Sequence, residues 1–200
     1  MSSSKNGKGS PARKKPNTSS GPVNQLKDWF RTRNPILKFL LGFAGCMALF
    51  YIFYYSPLYR NYLELPFLNF QAHAGNFFLH LLGYDTAVAD AAIAGSEFTV
   101  NIKNGCDGLE AMAIFASGIV IFPAAVRYKL TGLAWGLGAL LILNFLRIAG
   151  LYLAGLYFSK TVFDILHIQG GFILFTMISV LLWFVWMNWS AKKIREAGNA

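Results

Sequence analysis

Charge is scarce in this chain of 200 residues: 14% of it is Asp, Glu, Lys or Arg, where a soluble domain carries roughly 25%. The few charges also cluster, leaving apolar stretches of about 20 residues between them, the length of a membrane span. With 55% hydrophobic residues and a mean hydropathy of +0.43, an ordinary soluble domain is excluded and an integral membrane protein is expected. Acid is scarcer than base, nine residues against 18, for a net charge of +9. Such an excess can signal nucleic acid, but the basic residues lie where membrane topology puts them, so no nucleic-acid partner is expected and the lipid bilayer is.

Cysteine is limited to Cys46 and Cys106. Cys46 falls inside the first apolar run and Cys106 at the edge of a later one. At different depths the two cannot pair. No Cys/His cluster has zinc-ligand spacing, so neither a metal site nor a cofactor is expected. Internal repeats are also missing, which weighs against a repeat-built transporter with Arg147 as its anion site.

What is present begins with residues 1–33, rich in Ser, Lys, Gly, Pro and Asn. This composition buries too little apolar area to fold alone and reads as a disordered basic cytoplasmic tail. It does not read as a cleaved signal peptide, because the following apolar run is too long and lacks a small-residue cleavage site. A membrane domain is expected over 34–191 and a cytoplasmic C-terminal tail over 192–200.

Four spans are expected: Ile36–Tyr55, Leu109–Val126, Thr131–Phe158 and His167–Trp189. Leu63–Gly83 is apolar but contains Glu64, Asn69, Gln71, His73, Asn76 and His80. His73, Asn76 and His80 share one helical face, opposite Phe67, Phe70, Phe77, Phe78 and Leu81. That pattern fits an interfacial or re-entrant helix. Phe98–Lys103 alternates apolar and polar residues, as a strand does. With Ala94-Gly95-Ser96 as the turn and Ala87–Ile93 as partner, it predicts a small extracytoplasmic β-hairpin, outside the hydrocarbon because lipid does not tolerate an open edge. The fold class is therefore an all-α polytopic membrane protein with about four transmembrane helices, one interfacial or re-entrant helix and a hairpin.

The positive-inside rule orients it. With Leu63–Gly83 not crossing, 14 of the 18 basic residues fall on the cytoplasmic side, three (Arg60, Lys103, Lys160) outside, and Arg147 within the membrane. Both termini are then cytoplasmic. Cys106 and His167 stand at outer helix ends. Arg147, 16 residues beyond Thr131, is about 24 Å up its helix, in the outer third of a hydrocarbon core about 30 Å thick.

Three side chains on one level suggest chemistry. Cys106 sits in Asn104-Gly105-Cys106-Asp107-Gly108-Leu109-Glu110. Gly105 and Gly108 permit close approach, and a helix N-terminus there favours the thiolate. Asp107 and Glu110 oppose it, so a base or cation nearby is required. Arg147 is costly within a membrane and marks a functional site by default. Asn144 lies one turn earlier on the same face. A guanidinium there can stabilise an oxyanion or hold a substrate carbonyl or carboxylate. His167 is a candidate acid–base, with Asp164 three residues back to orient it and Gly170 and Gly171 allowing close packing. His73 and His80 are weaker candidates for the same role.

The motif Asn104–Leu109, the segment Asn144-Phe-Leu-Arg147-Ile148 and His167 before a glycine-containing span resemble the exosortase/archaeosortase family over roughly residues 36–190. The short chain is most like the exosortase H type. The resemblance implies a multi-pass enzyme of the bacterial inner membrane, active on the periplasmic side, that cleaves C-terminal sorting signals of exported proteins carrying a transmembrane segment. It implies Cys106 as nucleophile through a thioacyl intermediate, His167 as proton carrier and Arg147 as oxyanion or substrate ligand, with Asn104, Gly105, Gly108, Asn144 and Asp164 in support. The alternative is a non-catalytic membrane assembly factor for envelope or polysaccharide export, with Arg147 and His167 as an inter-helix polar network.

Overall fold

The structure, a computed structural model, describes residues 35–198; the expected N-terminal tail lies outside them, as do the side-chain surroundings of residues 168–170, 197 and 198. The described chain is mostly helical. Helix α1 is Pro35–Tyr54, a π-helical turn covers Tyr59–Leu63, and α2 is Glu64–Leu81. Three short strands follow, β1 (Ala87–Ala89), β2 (Ala92–Ala94) and β3 (Thr99–Asn101). The rest is α3 (Leu109–Ile121), α4 (Val126–Tyr157), α5 (Lys160–Asp164), a second π-helical turn (Ile165–Gly170) and α6 (Gly171–Gly198).

Among the described residues, three helical runs are long and apolar enough to cross a membrane: Pro35–Tyr54, Val126–Tyr157 and Lys160–Glu196. The protein is a multi-pass membrane protein on this pattern. The expected span Leu109–Val126 is a helix of 13 residues, about 20 Å long. It ends ahead of Pro123, which cannot donate to the helix ladder. Helix α4 begins at Val126, earlier than Thr131, and takes Arg127 and Lys129 into its first turn.

The expected hairpin is instead a three-stranded antiparallel sheet in the order β1-β2-β3. Ala87–Ile93 is not one strand. It folds back at Asp90 and Ala91, both with positive φ (45° and 59°), in the two-residue turn whose twist suits a hairpin. Asn-Gly or Asp-Gly would announce such a turn; Asp-Ala does not, because alanine disfavours positive φ. Ala91 is held there by burial and by its N–H, which donates to the Asn69 Oδ1 at 2.7 Å.

Helix α2 also differs from expectation. It buries Leu68, Gln71, Ala72, Gly75 and Leu79, a stripe between the two faces read from the sequence. Phe70, Phe77 and Leu81 remain exposed. The buried stripe meets Ile148, Ala149 and Tyr152 of α4 and Ile93, Val100 and Ile102 of the sheet in one apolar core. A second core joins Phe115 and Ile119 of α3, Leu140 of α4 and Trp186 of α6. Together they hold the segment between β3 and α3 among α2, α4 and α6.

At the second core a Cβ on Gly136 would collide with the Phe115 ring, whereas one on Gly138 would meet nothing within 4 Å. Overpacking of this kind costs about 1–3 kcal/mol. Gly136→Ala is therefore expected to lower the thermal unfolding temperature of the solubilised protein, and Gly138→Ala to leave it unchanged or raised. Equal behaviour of the two variants would contradict this packing.

Candidate active site

Strand β3 leads directly into the cysteine loop. The Cys106 N–H donates to the Lys103 carbonyl at 2.9 Å, closing a turn with Asn104 and Gly105 at its centre. Gly105 takes φ +86°, as the third position of a type II turn requires. Gly108 takes φ +71° and caps α3. A Cβ on Gly108 would stand 3.1 Å from the Asn144 amide. These glycines thus serve the backbone turn and the seat of Asn144. Asn104 is exposed and reaches none of the three chemical groups.

Two buried amides hold the loop from behind. Asn144 Nδ2 donates to the Cys106 carbonyl at 3.2 Å and to Gln71 Oε1 at 2.6 Å. Gln71 Nε2 donates to the Asp107 carbonyl at 2.7 Å. Both side chains are fully buried. Gln71 was missed in the site read from the sequence. On a helix that also carries Asn69, His73, Asn76 and His80, nothing local marks it; its burial does, since a buried amide needs partners.

The clamp turns the Cys106 sulfur toward α4 and the start of the last helical run. His167 Nε2 lies 3.4 Å from Sγ and Nδ1 3.7 Å. Arg147 Nη2 lies 4.0 Å from the same sulfur and donates to the His167 carbonyl at 3.3 Å. Cys106, Arg147 and His167 therefore converge. The guanidinium lies over the Phe175 ring, 5.3 Å from its centroid, and against Gly171, where a Cβ would collide with it. Among the described residues no carboxylate pairs with Arg147, and its buried Nε has no partner.

Among the described residues no hydrogen bond joins Asp164 to His167; the Asp164 charge acts on the imidazole only through space. The imidazole is instead stacked on Phe163, 5.4 Å between centroids and 13° between planes. His80 is engaged elsewhere: its Nε2 lies 2.7 Å from the Thr86 carbonyl and 3.3 Å from Asn76 Nδ2. It ties α2 to the sheet.

The acidic neighbours of Cys106 have structural duties. Asp107, fully buried, accepts from Tyr54 Oη at 3.0 Å and from the Leu109 N–H at 3.2 Å. Burial pushes its carboxyl up from the ordinary range, against those two hydrogen bonds. Glu110 accepts from Tyr51 Oη at 3.3 Å. Cys106 itself stands two residues ahead of the helix cap at Gly108, so it does not occupy the helix N-terminus expected for it. Burial pushes its thiol up; the Arg147 charge pulls it down and Asp107 pushes it up again. The net direction is up, with an imidazole nitrogen 3.4 Å from the sulfur.

A family model described as transmembrane exosortase (Exosortase_EpsH) matches residues 36–184, a span that includes Cys106, Arg147 and His167. No curated protein and no solved structure matches the chain.

The raised thiol has a measurable consequence. In a Cys46→Ala background, iodoacetamide alkylation of Cys106 is expected to rise with pH through a midpoint above that of an ordinary thiol, about 8.5. Arg147→Gln removes the one favourable charge and moves the midpoint further up. A midpoint at or below the ordinary value, or a downward move in Arg147→Gln, contradicts this electrostatic picture.

Proposed function

The chain belongs to the transmembrane exosortase family, and from that membership we propose that it is a membrane cysteine endopeptidase/transpeptidase. Its substrates are exported proteins with a C-terminal sorting signal and transmembrane segment. It acts at the outer, periplasmic face of the bacterial cytoplasmic membrane. The observation that carries the reading is the convergence on one sulfur of a histidine nitrogen at 3.4 Å and a guanidinium nitrogen at 4.0 Å. The sidedness rests on charge: Arg127 and Lys129 stand beyond the far end of α3 from Cys106, and with α3 counted as a fourth crossing 14 of the 18 basic residues fall on the inner side.

In the first step the Cys106 sulfur attacks the scissile carbonyl carbon while His167 takes the thiol proton. The new S–C bond leaves negative charge on the former carbonyl oxygen. Arg147 stabilises it, its Nη2 standing 4.0 Å from the attacking sulfur. Collapse breaks the C–N bond, and His167 returns its proton to the leaving amine. The remaining thioester is attacked by water or an acceptor amine, with His167 again as base, and the thiol is restored. A neutral resting thiol suits this sequence, since charge develops only when a substrate carbonyl is present to receive it.

Mass spectrometry of a tail-bearing exported protein co-expressed from the same genome tests the reading. Cys106→Ala is expected to abolish processing while the protein remains in the membrane. His167→Ala is expected to lower it at least about 10²-fold, the usual worth of a positioned acid–base. Arg147→Gln is expected to lower it about 10²–10³-fold, as loss of an oxyanion donor does. Processing that persists in Cys106→Ala removes the peptidase assignment.

A further inference from the structure

We propose that the free edge of β3 is a docking strand for an extended peptide segment of the substrate, which adds beside it as a fourth strand and delivers its carbonyl to Cys106. The proposal rests on the peptidase reading above for its occupant.

The register decides which backbone groups are available. Ile93 pairs with Val100, the Gly95 N–H donates to the Phe98 carbonyl at 2.9 Å, and the Ile102 N–H donates to the Ala91 carbonyl at 2.9 Å. In an antiparallel ladder the groups of alternate residues point the same way. Phe98, Val100 and Ile102 therefore face β2, and Thr99 and Asn101 direct their N–H and C=O groups outward. Among the described residues nothing bonds to those four groups. The next outward carbonyl, Lys103, is used by the turn that presents Cys106.

A free edge alone is ordinary, and proteins blunt such edges with short strands and lysines. This one is different in what it faces. Thr99, Asn101 and Lys103 line a groove of ≈ 480 Å³ together with Lys160, Phe163 and His167. The histidine in that lining is the one 3.4 Å from the Cys106 sulfur. Edge and nucleophile are also joined covalently, with five residues from Asn101 to Cys106. An extended peptide supplies the donors and acceptors the edge lacks, the mode of recognition known as strand addition. A folded domain or helix has satisfied its own backbone and cannot. Lys103 and Lys160 outnumber Asp164 in the lining, so the groove disfavours a basic segment.

The test uses the full chain with Cys46→Ala, in phospholipid nanodiscs, and an uncharged acetyl-tetrapeptide chloromethyl ketone as probe. The Cys106 sulfur displaces chloride from it, and intact mass gives the rate. The peptide is expected to label Cys106 at least about tenfold faster, relative to iodoacetamide, than a copy with N-methylated internal amides does, the worth of one or two main-chain hydrogen bonds. Asn101→Pro removes an outward N–H without touching the β2 ladder, a place where an edge strand tolerates proline. It is expected to lose about the same factor for the peptide and none for iodoacetamide, and Asn101→Ala to lose neither. Equal labelling of the parent protein by the two peptides overturns the proposal, whatever the proline variant does; so does peptide labelling of Asn101→Pro at the parent rate. Loss of the peptide preference with substrate processing intact removes the docking strand alone. A preserved preference with no Cys106-dependent processing removes the peptidase reading alone.

Discussion

Everything at the candidate site depends on two buried amides holding one loop. Asn144 donates to the carbonyl of Cys106 itself, and Gln71 donates to the next carbonyl while accepting from Asn144. A buried polar group left without a partner costs about 1–3 kcal/mol. Each member of this chain therefore enforces the position of the next, and the loop is pinned between α2 and α4. The sulfur is aimed because its own carbonyl is fixed on the opposite side. Gly108 belongs to the same device, since a side chain there would press on the Asn144 amide.

The second constraint is electrostatic. A cysteine flanked by two acids looks badly placed for a nucleophile, but both acids are occupied: Asp107 with Tyr54 and the Leu109 N–H, Glu110 with Tyr51. They bind α1 to the start of α3. Burial pushes the Cys106 thiol up, against the pull of the Arg147 charge. Arg147 is kept within an apolar helix by a neighbouring carbonyl and an aromatic face, with no carboxylate paired to it among the described residues. An arginine at the centre of a membrane costs about 2.5–3.5 kcal/mol on insertion scales.

Much of the site was legible in advance. Cys106, Arg147 and His167 stand out because each is unusual where it stands: a thiol between turn glycines, a charge in an apolar helix, an imidazole at a helix boundary. Gln71 was hidden because an amide on a mixed helix looks like one more surface group. The two faces of α2, polar and aromatic, were legible, but the stripe between them that packs inward was not: it is the one whose small residues Ala72 and Gly75 admit α4. The split of Ala87–Ile93 into two strands was invisible because nothing in Asp90-Ala91 marks a turn with positive φ. The support expected from Asp164 fell to Phe163, whose stacking on His167 depends on how one turn of π-helix is wound.

By itself, then, the sequence determined that the chain is a helical membrane protein, where its apolar runs lie, how base is distributed between them, and which three side chains are candidates for chemistry. These follow from composition and spacing along one chain, because transfer into lipid acts on each segment separately. Only the tertiary structure decided that the three side chains meet on one sulfur, that burial pushes the thiol up, that two amides hold its loop, and that the outer residues of β3 line one groove with His167. Each of those is set by atoms tens of residues apart, brought together by packing that no local pattern encodes.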